Sequence, residues 1–139
     1  MGTLGIFKRP WIGNGNSLPM TGFGGCGFLA NLRYTYVATD TALTMTTDQF
    51  AGGAVQYTGF TAGRVVTTPT ATLITAAMGD DFTIGDSFTF IVSVVPAFAL
   101  TWAAGAGVTL RGSATVEAST WSLVTITKTG ANTYDWTVA

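Results

Sequence analysis

The chain has 139 residues, of which 47% are hydrophobic and 9% are charged, and its formal net charge is -1. This length allows one domain with a sizeable core, while the charged fraction lies far below the roughly 25% of average soluble proteins. Its six basic residues are scattered rather than clustered, which argues against binding to a nucleic-acid backbone. Part of the surface is therefore expected to meet another protein.

The side chains that carry most enzyme chemistry are scarce. The chain has no histidine, and Cys26 is its single cysteine, so neither an intramolecular disulfide nor a cysteine-based metal site can form. Cys26 is interpreted as a small buried hydrophobic residue; the alternative, a thiolate nucleophile, normally needs a base such as histidine. We expect neither an enzyme nor a bound cofactor.

Residues 1–30 are rich in glycine, with runs such as GNGN and GFGGCGF, and fit neither a helix nor a regular strand. Apolar residues such as Phe7, Trp11 and Phe23 interrupt these runs, which predicts an extended arm that becomes ordered by lying on a protein surface. GFGGCG, residues 22–27, matches the GxGxxG pattern literally. The pattern indicates dinucleotide binding only between a strand and a helix, so the arm is preferred.

The sequence changes character after the arm, and residues 31–139 are expected to form the folded domain. Apolar and polar residues alternate in LRYTYVATD, as in a strand. TTDQFAGG predicts a short helical turn, with Thr47 or Asp48 as its N-cap and Gly52 as its end.

The next segments predict two short strands and the main helix. The strands are expected at 54–58 and 63–68, separated by glycines. PTATLITAAMG predicts a helix over 69–79 that begins near Pro69 and ends at Gly79. The apolar stripe of this helix is expected to contain Leu73, Ile74, Ala77 and Met78.

The rest of the chain is nearly all strand. SFTFIVSVV places Phe88, Phe90, Val92 and Val94 on one face, and Pro96 ends this strand. Further strands are expected at 98–103, 108–112, 114–117, 121–128 and 133–138. Short strands at this spacing are typical of a sandwich or jelly roll. The predicted fold is all-β: a jelly-roll-like β-sandwich with one short helix and an extended Gly-rich N-terminal arm.

Residues 87–110 carry no charge, so a transmembrane helix is an alternative for this segment. Pro96 and a hydrophobic period of two favour strands instead, and no membrane partner is expected. The presumed outer positions of the strands are filled by Thr89, Thr101, Thr109, Thr115, Thr125, Thr127 and Thr137. Such an exterior can dock against a protein without desolvating ions.

Two clusters leave alternatives open. Asp80, Asp81 and Asp86 could bind Ca²⁺, but MGDDFTIGDSF lacks the spacing of an EF-hand loop, so a turn is preferred. The aromatic residues of the C-terminal third could stack on sugars or could be core and interface anchors, which is more frequent in small β proteins. They are Trp102, Trp121, Tyr134 and Trp136.

Residues 45–139 resemble a module of tailed-bacteriophage virion proteins, notably capsid decoration (cement) and head-fibre proteins. The resemblance rests on TTDQFAGGAVQYTGFTAGRVVTTPTATLITAAM, IGDSFTFIVSVV, LTWAAGAGVTLRGSATV and WSLVTITKTGANTYDWTVA. Trp102 and Arg111 stand where smaller or polar residues are usual, and residues 1–44 have no clear counterpart.

The resemblance implies a jelly-roll-like domain on the outer surface of the phage head that stabilises contacts between major capsid subunits. The expected partners are the major capsid protein and further copies of the chain, in a homodimer or homotrimer. The expected contact residues are Phe7, Trp11, Phe23, Trp102 and Arg111. The alternative is a receptor- or glycan-binding fibre or adhesin module.

Overall fold

The computed structural model describes residues 13–14, 16–17 and 32–139, so most of the predicted arm lies outside the described residues. Two-residue strand segments at Gly13–Asn14 and Asn16–Ser17 pair in parallel. From residue 32 onwards the elements are β1 (Arg33–Val37), β2 (Leu43–Thr44), α1 (Thr47–Ala51), β3 (Gly53–Tyr57), β4 (Arg64–Thr67), α2 (Ala71–Met78), β5 (Ser87–Val94), β6 (Leu100–Ala103), β7 (Val108–Gly112), β8 (Thr115–Val116), β9 (Trp121–Gly130) and β10 (Thr133–Val138).

The strands of this domain form two sheets that pack face to face, which confirms the predicted all-β sandwich. The six-stranded sheet has the order β7-β10-β9-β5-β3-β1, and the four-stranded sheet has the order β8-β6-β4-β2. Strands β1, β3 and β5 are parallel to one another, and so are β2, β4 and β6. Strand β9 is antiparallel to both of its neighbours, β5 and β10.

The parallel pairs arise because the chain alternates between the sheets from β1 to β6. Each strand of the six-stranded sheet is followed by one of the four-stranded sheet, through the short connections 38–42, 58–63 and 95–99. The first residue of each later connection bonds to the last residue of the preceding strand in the same sheet: the Thr58 N–H donates to the Val37 carbonyl at 2.9 Å, and the Val95 N–H donates to the Tyr57 carbonyl at 3.0 Å. The first six strands therefore wind like the coils of a small β-helix.

The two helices return the chain from the four-stranded sheet to the six-stranded sheet. Helix α1 has Thr46 as its N-cap, one residue earlier than predicted, and the Thr46 N–H donates to Gln49 Oε1 at 3.2 Å. Its C-cap is Gly52, as predicted. Because α1 is a true helix, the domain has two short helices rather than the single one of the predicted fold.

Helix α2 confirms the predicted main helix but not its complete apolar stripe. Thr70 is its N-cap, and Gly79 ends it with a positive φ of 80°. Ile74 and Met78 are buried as expected, whereas Leu73 is exposed. The buried stripe is narrower than predicted, because Leu73 lies in solvent and Ala77 is only partly buried.

The core lies between the sheets and is rich in aromatic residues. The predicted alternation in β5 is confirmed, since Phe88, Phe90, Val92 and Val94 are all buried. The rings of Trp102 and Trp136, one from each sheet, lie 5.3 Å apart at an angle of 64°. Burying such a side chain stabilises the fold by about 1.5–3 kcal/mol, so these rings help to hold the two sheets together.

No helix of the described part of the chain is both long and apolar enough to cross a membrane.

Candidate interaction surface

One broad surface of the domain is the face of the six-stranded sheet that points away from the four-stranded sheet, here called the outer face. Because side chains alternate along a strand, it is formed by every second residue. In sheet order its residues are Thr109 and Arg111 of β7; Asp135 and Thr137 of β10; Trp121, Leu123, Thr125 and Thr127 of β9; Ser87, Thr89, Ile91 and Ser93 of β5; Ala54 and Gln56 of β3; and Tyr34 and Tyr36 of β1.

One half of the outer face is rich in hydroxyl groups and is here called the hydroxyl half. Its residues are Thr109, Arg111, Asp135, Thr137, Thr125, Thr127, Ser87 and Thr89. The hydroxyls of Ser87 and Thr127 lie 2.8 Å apart, and those of Thr89 and Thr125 lie 2.9 Å apart. These bonds join β5 to β9 across the sheet. Apart from the Arg111–Asp135 ion pair the hydroxyl half carries no charge, and none of the seven threonines predicted to point outwards is buried.

The other half of the outer face, here called the aromatic half, consists of two rows that cross four strands. The rows are Tyr34, Ala54, Ile91 and Leu123, and Tyr36, Gln56, Ser93 and Trp121; within the first row Ala54 is fully buried. Trp121 is 65% exposed, and the rings of Tyr34 and Tyr36 stack with their centres 6.1 Å apart. From Tyr36 to Trp121 the row spans about 14 Å, three inter-strand spacings. Exposed aromatic side chains in such a row are typical of protein interfaces.

Charge is almost absent from the outer face. Its strand positions carry one ion pair, in which Arg111 Nε lies 3.2 Å from Asp135 Oδ2. Arg111 is thus an exposed residue of this face, where a partner can reach it. Docking there requires the desolvation of very few ions.

A second ion pair lies away from this face, where two connections between the sheets meet. Arg64 Nη2 lies 3.0 Å from Asp40 Oδ1, and the Thr61 N–H donates to the same oxygen at 2.8 Å. Hydrogen bonds from the Thr61 hydroxyl and backbone, together with the Arg64 guanidinium, hold the pKa of Asp40 below its ordinary value. This carboxylate links successive connections of the winding chain and has a structural role.

The predicted contact residues do not come together in one site. Phe7, Trp11 and Phe23 lie outside the described residues, as does Cys26. Trp102 is only 4% exposed and packs in the core, so its side chain is not a surface anchor. Of the five predicted contact residues, Arg111 is the one that the structure places on the surface.

The predicted alternative of a four-residue aromatic platform is wrong. Trp102, Tyr134 and Trp136 are buried between the sheets, and Trp121 alone is exposed. The side chains separate because Trp102, Tyr134 and Trp136 occupy inward positions of their strands, whereas Trp121 occupies an outward one. A sugar would therefore meet one tryptophan, not four aromatic rings.

Few groups in the described residues offer chemistry. Tyr57 Oη, Trp102 Nε1 and Trp136 Nε1 are buried and have no hydrogen-bond partner there, and burial raises the pKa of the Tyr57 phenol. All three are weakly acidic donors that keep their protons at neutral pH. This arrangement provides packing rather than a base or a nucleophile.

Asp86 has a structural role in the turn before β5. Its Oδ2 accepts a hydrogen bond from the Thr83 N–H at 2.7 Å, which closes the turn, as the preferred interpretation of the Asp80–Asp86 cluster expects. Among the residues from 32 onwards, no three His, Cys, Asp or Glu side chains are close enough together to hold a metal ion.

The aromatic half of the outer face was not found from the sequence. Tyr34, Tyr36, Leu123 and Trp121 belong to strands about ninety residues apart, and only the order of strands in the sheet brings them together. The alternation of residues within each strand indicates which side chains point away from the core. It does not indicate which strands lie next to one another in the sheet.

Comparisons of the chain with protein-family models, with curated proteins and with solved structures found no match.

Proposed function

We propose that this chain is a virion structural protein, a capsid decoration (cement) protein that binds the outer surface of a bacteriophage head and stabilises contacts between major capsid subunits. The outer face is the observation that carries this proposal. It combines exposed aromatic residues with uncharged hydroxyls and a single ion pair, Arg111–Asp135. A protein partner can cover such a face with a small cost of ion desolvation.

The stabilising effect needs no catalysis. A protein that binds the assembled shell, but not its separate subunits, favours assembly in proportion to its own concentration and affinity. Many small copies on a symmetric shell together resist the pressure of packaged DNA. In this proposal the folded domain from residue 32 onwards supplies the docking surface.

The finer description of the fold belongs to the same proposal. A jelly-roll-like sandwich with an extended Gly-rich arm over residues 1–30 stays a prediction, as does the contact of Phe7, Trp11 and Phe23 with adjacent subunits. The parallel strands β1, β3 and β5 depart from the antiparallel pairing of a standard jelly roll. The proposal needs the outer face rather than that particular topology.

The proposal is tested with shells assembled from the major capsid protein encoded in the same genome. Purified chain is mixed with these shells and sedimented, and the shells are then heated. We expect co-sedimentation at a fixed ratio to capsid subunits and an increase in the temperature at which the shells dissociate. A folded chain that never sediments with the shells would contradict the proposal.

Two matched variants test whether the outer face is the docking surface. Leu123 on this face and Val65 on the opposite sheet are 40% and 43% exposed, and each is replaced by lysine. Leu123→Lys buries a charge in the proposed contact and should weaken binding by at least about tenfold. Val65→Lys should bind like the wild type. Equal binding by both variants would assign the contact to another surface.

A receptor- or glycan-binding module is the alternative function, and the exposed ring of Trp121 favours it. A sugar stacked on this ring would be near the Gln56 side chain, which donates to Ser93 Oγ at 3.0 Å in the same row. Titration of the chain with an oligosaccharide panel, followed by tryptophan fluorescence, tests this alternative. A saturable change that Trp121→Ala abolishes would support it over the capsid function.

A further inference from the structure

The four edges of the two sheets differ in how well they are protected against pairing with another strand. In the residues from 32 onwards, β2 and β8 are edge strands of two residues each. Strand β7 carries the charged Arg111 and ends at Gly112 with a φ of 77°. Short length, charge and irregular backbone all discourage edge pairing. Strand β1 has one charged residue, Arg33, at its first position, but its five residues include no proline, lysine or positive φ, so it is the least protected edge.

The free backbone groups of β1 belong to its two tyrosines. The Arg33 N–H donates to the Gly52 carbonyl at 2.8 Å, and the Val37 carbonyl accepts from the Thr58 N–H at 2.9 Å. Because backbone groups alternate in direction along a strand, those of Arg33, Thr35 and Val37 face β3. Those of Tyr34 and Tyr36 face outwards, and no described strand pairs with them.

We propose that β1 pairs antiparallel with β1 of a second copy of this chain, which joins two six-stranded sheets into one sheet of twelve strands. A two-fold axis at Thr35 would place Tyr34 opposite Tyr36 of the second copy, and Tyr36 opposite Tyr34. Both residues of each pair have outward backbone groups, so each pair forms two N–H to C=O bonds.

A second copy of the chain is a suitable partner for β1, because the residues of the two β1 strands match one another. A two-fold axis at Thr35 brings Tyr34 of each copy against Tyr36 of the other, so the contact is reciprocal and an aromatic residue faces an aromatic residue in both pairs. The side chains of Tyr34 and Tyr36 are exposed and stacked on the outer face, where they would form two cross-strand aromatic pairs. Arg33 would lie opposite Val37 and about 14 Å from Arg33 of the second copy, so the like charges are well separated.

This inference deepens the proposed function, because it names the surface through which the decoration protein would associate with itself. It joins the outer faces of two copies into one continuous surface across β1. A doubled face could contact two capsid subunits at once, with the gain in apparent affinity that bivalent binding provides.

Sedimentation equilibrium of the full chain in the absence of shells tests the pairing. We expect a concentration-dependent dimer. Tyr36→Lys should weaken it by at least about tenfold, because lysine on an edge strand opposes pairing. Ile84→Lys is the matched control, since Ile84 is 66% exposed in the turn before β5 and Tyr36 is 68% exposed. The control should dimerise like the wild type.

A second variant tests the backbone bonds. Tyr36→Pro removes an outward N–H and leaves the bonds from β1 to β3 in place, so it should weaken the dimer without unfolding the domain. Circular dichroism establishes that each variant is folded. A monomer at all concentrations, a trimer, or a dimer that both Tyr36 variants leave intact would overturn the inference. A dimer that ignores shells would instead refute the proposed function alone.

Discussion

At the scale of single residues, close backbone contacts explain why particular positions need glycine. Gly59 lies in the connection 58–63, which stacks on the preceding connection, 38–42. A Cβ atom at Gly59 would overlap with the carbonyl oxygen of Ala38. The backbone on both sides is held by the bond from the Thr58 N–H to Val37, so neither connection can move away cheaply. The two connections can therefore stack only because Gly59 has no Cβ atom.

We expect Gly59→Ala to lower the free energy of unfolding by about 1–3 kcal/mol, measured by urea denaturation. Gly63→Ala is the control in the same connection. A Cβ there would lie 3.8 Å from the Ala99 carbonyl oxygen, an ordinary contact, and the backbone φ is not positive. It should change stability by less than about 1 kcal/mol. Equal losses in the two variants would contradict the close approach at Gly59.

At the scale of elements, helix α2 shows how tertiary packing selects among apolar residues. Leu73 and Ile74 are neighbours in sequence and similar in size, but Ile74 is fully buried in the core while Leu73 points to solvent. The helical period places both within a broad apolar stripe. Only the position of the helix on the sandwich decides which of them is covered.

Ile74→Ala should therefore lower the free energy of unfolding by about 2–4 kcal/mol, because it leaves a cavity in the core. Leu73→Ala should change it by less than about 1 kcal/mol, since the side chain is mostly in water already. Thermal and urea unfolding of both variants provide the measurement. A larger loss for Leu73→Ala than for Ile74→Ala would mean that Leu73 is covered in solution, for example by another copy.

At the scale of the whole molecule, the low charge determines how binding should respond to salt. The net charge is -1, and the outer face carries a single ion pair. Salt weakens interactions between exposed charges but acts little on contacts between apolar and hydroxyl groups. A partner that docks on this face should therefore be held mainly by shape and burial.

We expect the dissociation constant for shells to change by less than about threefold between about 0.05 and about 0.5 M NaCl. Sedimentation of the wild-type chain with shells across this range measures the effect, and Arg111→Gln shows how much of any change arises from the one ion pair of the outer face. A steep loss of binding with salt would contradict docking through the uncharged face.

Several features of the fold followed from local sequence. The alternation of Phe88, Phe90, Val92 and Val94 identified a strand with one buried face, and the stop at Gly79 identified the end of the main helix. These predictions depend on local sequence alone. The face of a strand on which a side chain lies, and the residue at which a helix ends, are set by residues within one strand or one helical turn. The all-β class and the positions of most strands were determined in this way.

Long-range packing, rather than local pattern, sets which strands are neighbours and which aromatic residues are covered. Trp102 and Trp121 lie in similar alternating strands, yet the first is in the core and the second is in solvent. The alternation of apolar and polar residues does not specify the order or direction of the strands. In a chain that alternates between two sheets, strands that lie side by side are not consecutive in sequence. The aromatic half of the outer face and the open edge at Tyr34 and Tyr36 arise from that long-range pairing.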